Sequence, residues 1–291
     1  MGRAFRADRV KPPTPGFGAE KDWSMALRRS SFGPAAIVLE AQARHDLGLF
    51  YVYCRAIDDC ADEFKPDEAL GHLKRWKLEL NLLRQGRPSS DLGRRLLELC
   101  VRRSISVDLL EELWHGARSD AHKRVRFKTW PRVRHYCSQV AGSVGLACLP
   151  IFGLEQERGR AYALALGEAF QLINILRDVR EDAALGRLYF SLDDLKSYGL
   201  TQRTFMGGSG GARAQRLLYV YAWRAKNALT RADDLAVSLP SRALRPSRMM
   251  RALYGALLDR MEKDGLKVFE RRYSLSRWRK RLIVFRSFVT R

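Results

Sequence analysis

From residue 34 onward, apolar residues recur at intervals of three and four along almost the whole chain, and sustained period-two alternation is hard to find. That pattern belongs to helices that bury one face, so an all-α protein is expected. The periodicity predicts helices over 34–63, 67–85, 90–102, 106–119, 130–148, 156–184, 212–238 and 242–265, then a basic helix over 275–289. Punctuation agrees with these limits. Pro34, Pro66 and Pro131 stand where helix starts are wanted, the last behind Thr129 as a candidate cap. Ser89, Ser90 and Ser106 can cap the helices that follow them. Residues 1–20, with Lys11-Pro12-Pro13-Thr14-Pro15-Gly16, carry no period; a flexible basic tail ahead of a single domain over 21–291 is expected. Gly207-Gly208-Ser209-Gly210-Gly211 fits neither phosphate-loop spacing and reads as a loop between helices.

Composition adds one unusual feature. A chain of 291 residues, 46% of them hydrophobic, is long enough to bury a sizeable core. No stretch approaches the roughly 18 unbroken apolar residues of a membrane span. The N-terminus lacks the apolar segment of a secretory leader, so a cytoplasmic protein is expected. Lys and Arg number 53 against 32 acids, a net charge of +21. Such a field attracts nucleic acid, anionic membrane or phosphorylated substrates without choosing among them. Cys54, Cys60, Cys100, Cys137 and Cys148 form no CxxC pair and sit in apolar helical patterns, as reduced core residues do. The histidines make no HExxH, so nothing supports a zinc site.

Two segments carry the candidate chemistry. In Tyr51-Val52-Tyr53-Cys54-Arg55-Ala56-Ile57-Asp58-Asp59-Cys60-Ala61-Asp62-Glu63, Asp58 and Asp62 lie one helical turn apart on a single face. Like charges at that spacing repel, and burial among apolar flanks sharpens the conflict. Either the segment is a solvated helix end, with Asp59 and Glu63 paired to Arg or Lys, or a hard cation such as Mg2+ relieves it through oxygen ligands. The second segment runs Gln171-Leu172-Ile173-Asn174-Ile175-Leu176-Arg177-Asp178-Val179-Arg180-Glu181-Asp182. At about 100° per residue, Gln171, Asn174, Asp178 and Asp182 fall at roughly 0°, 300°, 340° and 20°, one narrow polar stripe on an apolar helix. Such a stripe either faces solvent or needs partners. Two acidic faces set opposite each other would form a cage for Mg2+ and a bridging diphosphate, with Arg55 and Arg177 beside it to clamp phosphate oxygens.

The pairing of "YCRAIDDCADE" with "FQLINILRDVREDAALGRLYF" resembles the squalene/phytoene synthase family, the head-to-head prenyl synthases, over nearly the whole chain. Ser30-Ser31-Phe32, Asp120, Tyr136, Val140 to Gly145, Tyr254 and Val268-Phe269-Glu270-Arg271 resemble further elements of that family. The resemblance implies an isoprenoid synthase fold, with helices around a central apolar cavity. It implies Asp58, Asp62, Asn174, Asp178 and Asp182 as metal ligands, with Glu181 nearby. It implies Ser31, Phe32, Arg55, Gln171, Arg177, Tyr254 and Arg271 as substrate contacts, and Tyr51, Arg55, Tyr136, Gln171 and Arg177 at the reacting centre. The cofactor would be Mg2+, with Mn2+ as a substitute, and NADPH use stays open. Ala141-Gly142-Ser143-Val144-Gly145 would either leave room for a prenyl chain or serve close helix packing. Arg28-Arg29 and Val38-Leu39-Glu40 depart from the family pattern at the N-terminal element.

The implied function is Mg-dependent condensation of two prenyl diphosphates through a cyclopropyl diphosphate, with farnesyl diphosphate and a C30 product favoured. Phytoene synthesis from geranylgeranyl diphosphate is the alternative. From another class, a noncatalytic relative acting as an assembly or polyanion-binding protein would be free to lose these carboxylates, and they are intact. Nucleic acid is not an expected partner. Between Arg271 and Arg291 the chain carries many basic residues and no acid, with Trp278, Leu282, Phe285 and Val289 at spacings of three and four. That helix would rest peripherally on the inner face of a membrane, or pack on the core with a solvated basic face.

Overall fold

A computed structural model describes residues 27, 30, 32–122 and 125–289. The expected tail over 1–20 and the candidate Ser31 lie outside the described residues.

The helices are α1 (Gly33–Ile37), α2 (Ala41–Asp62), α3 (Pro66–Arg84), α4 (Asp91–Arg103), α5 (Val107–Ala121) and α6 (Trp130–Cys137). A π-helical turn (Ser138–Gly142) leads into α7 (Ser143–Ile151), α8 (Gln156–Arg177), α9 (Val179–Ala184), α10 (Leu192–Ser197) and α11 (Gln202–Met206). The chain closes with α12 (Gly211–Ala236), α13 (Ser241–Lys263) and α14 (Arg277–Val289). Among the described residues there is no strand; Arg126 and Leu188 form an isolated parallel bridge. No helix among them is long and apolar enough to cross a membrane.

Local chemistry explains most boundaries. Ser90 and Ser106 accept from the backbone of Gly93 and Asp108, as helix caps do. Ser89 instead donates its hydroxyl to Glu79, and Thr129 stands at the cap of α6 without a side-chain bond. The helix expected over 34–63 is broken at Val38–Glu40. Arg44 reaches back across the break and donates to the carbonyls of Ala36 and Leu39 at 3.1 and 2.8 Å, satisfying groups that α1 leaves open. The stretch expected over 156–184 is interrupted at Asp178, whose φ of −104° and ψ of 13° end α8 and start α9.

α8 is the central rod. α12 and α13 pack along it, as do α7 and the π turn, while α2 packs against α3, α4 and α5. α5 joins the two groups by lying against the π turn and α7. Asp46 in α2 is fully buried and takes Arg102 and Arg103 at 2.8 and 2.7 Å, pinning α4 to α2. All five cysteines are free and buried.

The contact between the π turn and α8 is unusually close. A Cβ on Gly167 would stand 2.8 Å from backbone atoms of Ala141 and Gly142, and one on Gly142 would stand 2.9 Å from Leu164. The small residues of the π turn therefore serve close packing. Ala141, Val144 and Gly145 also line an apolar cavity between α7, α8 and α13.

Candidate active site

The cavity is apolar over most of its wall and polar at the end where α8 gives way to α9. Gln171 and Asn174 line it there, beside Tyr254, whose ring stacks on Phe170 at 4.1 Å. Directly beyond, Asp178 is buried between two arginines. Arg177 donates to both of its carboxylate oxygens, at 3.0 and 2.5 Å, and Arg272 to one of them at 3.0 Å. Burial alone would raise the Asp178 carboxyl, but Arg177 and Arg272 outweigh it and hold it below its ordinary value.

The other acidic segment meets this end from the opposite helix. Phe32 lines the cavity, and its ring meets Tyr51 edge-on at 6.4 Å. Tyr51 stands one turn before Arg55, on the helix that carries Asp58 and Asp62. Arg55 pairs with Asp59 at 2.7 Å and lies 3.7 Å from Glu63. Asp58 is buried and makes no ion pair with any described residue. Burial, reinforced by Asp62 and Asp59, pushes it up to about 7, and burial pushes Asp59 up to about 6.

Arg187 joins the two segments. Gly186, at φ +75°, closes α9 in a Schellman motif: Gly186 N–H donates to Ala183 and Arg187 N–H donates to Asp182 at 2.8 Å. The turn sends the Arg187 guanidinium to Asp62 at 2.7 Å and to the carbonyl of Ala61 at 3.0 Å. The residue that caps the helix of the second motif thus holds Asp62 of the first, and neither Asp58 nor Asp178 faces bulk water. Behind them Asp120 accepts from the hydroxyls of Tyr136 and Tyr189, both at 2.7 Å.

Two expected contacts are placed elsewhere. Arg271 is exposed and pairs with Asp264; Arg272, its neighbour, reaches Asp178. Tyr136 does not line the cavity but stacks on Tyr189 at 5.1 Å. Its phenol donates to Asp120, and burial raises its pKa further, so it keeps its proton. Arg187, Arg272 and Tyr189 were not singled out from the sequence. The Gly186-Arg187 pair just past the acidic stripe is the signal for the first of them.

Asn174 Oδ1, Glu181 Oε2 and Asp59 Oδ2 are buried without a hydrogen-bond partner. These are hard oxygen donors beside two aspartate motifs, a donor set that suits Mg2+ in kind. No three acidic, histidine or cysteine side chains among the described residues converge into a metal-holding group.

The sequence model of the squalene/phytoene synthase family matches residues 27–279. The chain belongs to that family, whose members are prenyltransferases. A 15-cis-phytoene synthase from Synechococcus elongatus is 28% identical over 263 residues, covering 86% of this chain and 85% of the relative. A phytoene synthase from Arthrospira platensis is 30% identical over 251 residues, covering 81% of each. The crystal structure of a dehydrosqualene synthase in complex with ligand superposes with a TM-score of 0.82 at 23% identity, covering 93% of this chain and 95% of that one. The squalene synthase HpnC from Alicyclobacillus acidocaldarius superposes with a TM-score of 0.75 at 26% identity, covering 84% of this chain and 94% of that one. The fold is that of the isoprenoid synthases.

Proposed function

We propose that the chain joins two prenyl diphosphates head to head, farnesyl diphosphate giving a squalene-type C30 product. The observation that carries this reading is the meeting of an apolar cavity with two buried carboxylate-and-arginine segments at one end. The likeness to the squalene synthase HpnC supports the farnesyl substrate. A second reading, geranylgeranyl diphosphate condensed to phytoene, draws on the relatives named phytoene synthase.

The first step breaks an allylic carbon–oxygen bond, and the electron pair leaves with the diphosphate. Arg177, Arg187 and Arg272 offer forked donors for that anion, and in the dry surroundings of the cavity end they are worth more than in water. Asp58, Asp62, Asn174, Asp178 and Asp182 are the oxygen donors that would hold Mg2+ or Mn2+, and the bound cation supplies positive charge for the departing diphosphate. Phe32, Phe170 and Tyr254 line the cavity, where aromatic rings would favour an allylic cation, and the apolar wall would keep out water that would quench it. The double bond of the second substrate attacks the cation, and loss of a proton closes the cyclopropane. A second ionisation and rearrangement give the linear skeleton. Hydride from NADPH would then yield squalene, whereas proton loss would yield dehydrosqualene or phytoene.

The test is incubation of the full chain with farnesyl or geranylgeranyl diphosphate and MgCl2, with and without NADPH, followed by product mass. A C30 product from farnesyl diphosphate is expected; C40 product alone selects the second reading, and no condensation of either substrate overturns both.

The same reading extends to a lipid contact at α14, suited to an oily product. Trp278 and Phe285 are 71% and 65% exposed on one side, flanked by Arg277, Lys280 and Arg281, while Ile283 packs on the core. Flotation with phosphatidylglycerol vesicles should fall when both aromatics are changed to Ala. Flotation unaffected by removal of residues 277–291 discards the contact.

A further inference from the structure

The far end of the cavity is built differently from its wall. Asn174 and Tyr162 both line it and stand twelve residues apart on α8, so they are separated by about 18 Å along the helix axis. Asn174 marks the end near the arginines, and Tyr162 the opposite one. Phe152, which follows α7 as that helix runs antiparallel to α8, lines the same far end. The Tyr162 ring is buried. Its hydroxyl donates to Ser247 Oγ at 2.8 Å, and Ser247 in turn donates to the carbonyl of Leu244 at 2.9 Å. Ser247 lies on α13 seven residues before Tyr254, about 10 Å away along that axis. A polar pair thus sits at the bottom of an otherwise oily pocket. Its hydrogen bonds run to each other and to backbone, with no donor left over for a ligand.

We infer that Tyr162, latched through Ser247 to the Leu244 carbonyl, is the floor on which the tail of the prenyl substrate ends and by which its length is selected. This inference rests on the proposed condensation of prenyl diphosphates. A chain bound with its diphosphate among the arginines runs down α8 and meets the phenol ring edge. The bond to Ser247 fixes the ring in one position, so the pocket cannot lengthen by a rotamer change alone. A substrate one isoprene unit too long has to push aside a hydrogen-bonded tyrosine, whereas one that fits leaves it in place. The α7–α8 side of the wall offers no such adjustment, because those helices already touch through glycines.

The test uses the full chain with equal concentrations of farnesyl and geranylgeranyl diphosphate and reads the mass ratio of their condensation products. Tyr162→Ala should raise the share of the longer product by roughly tenfold or more, the discrimination expected when a hydrophobic subsite gains a few methylenes of room. Tyr162→Leu, which shortens the side chain while keeping the core apolar, should move the ratio the same way and decides the matter if the Ala variant does not fold. Tyr162→Phe keeps the ring but frees it from Ser247, and should give a smaller rise. A ratio in Tyr162→Leu equal to that of the unmodified protein, with condensation intact, overturns the inference. If the unmodified protein condenses neither substrate, the functional reading fails instead. The floor is then read by thermal shift with unreactive thiodiphosphates of the two lengths, where Tyr162→Leu should improve stabilisation by the longer analogue only; equal shifts overturn it.

Discussion

The two aspartate motifs look interchangeable in sequence but are electrostatic opposites. Asp178 is clasped by Arg177 and Arg272 and held below its ordinary pKa, whereas Asp58 is buried without an ion pair among the described residues and pushed up to about 7. One carboxylate is stabilised as an anion before any ligand arrives; the other is stored near its midpoint at neutral pH. The same residue type at the same helical spacing therefore carries two different free-energy roles, and the presence or absence of Arg177 and Arg272 beside it decides which.

The largest expected effect does not separate them. Asp58→Asn and Asp178→Asn should each lower turnover with prenyl diphosphates by a factor of about a thousand, roughly 4 kcal/mol of barrier. Wild-type turnover in either variant would remove that motif from the site. Stability does separate them. Asp178→Asn leaves two guanidiniums without their buried partner and should cost about 3–5 kcal/mol in denaturant melts at neutral pH.

Asp58→Asn should instead stabilise the metal-free protein, and the sign follows from linkage. A carboxyl whose folded pKa lies above its unfolded one favours folding most at low pH. That advantage is lost as pH rises through the range from about 4 to about 7. Melting temperature should therefore gain more from Asp58→Asn at pH 8 than at pH 5. An equal gain at both values would show that Asp58 is not desolvated as described. The smallest effect concerns the link between the motifs: Gly186→Ala forces a side chain into φ +75° and should cost about 1 kcal/mol. Measured against prenyl diphosphate, it should also raise KM, because Arg187 is launched from that turn.

Much of this arrangement is legible in sequence because its signals are local. The three-and-four spacing marks the long helices, and the polar stripe through Gln171 and Asn174 marks the part of α8 that lines the polar end of the cavity. What escapes is set by contacts between distant segments. The break falls at Asp178, whose side chain is held by two arginines, one of them from a segment more than ninety residues later, and no periodicity encodes that contact. Arg272 rather than Arg271 reaches the site because the stretch between α13 and α14 is irregular; without a repeat, adjacent arginines cannot be assigned to faces. Tyr136 shows the converse. Its helix is readable, but only the packed structure reveals that its hydroxyl is committed to Asp120. The short helices α10 and α11 hold too few turns to show a period.

The glycine contact between the π turn and α8 has an evolutionary corollary. Any side chain at Gly167 would collide with the backbone of Ala141 and Gly142, so that point of the wall is closed to substitution. New substrate ranges would have to be explored away from that crossing, at Tyr162 on the floor or from α13, where Ser247 and Met250 line the pocket and can change size without moving a helix. Diversification of this scaffold is thereby channelled onto the floor and the α13 side of the pocket.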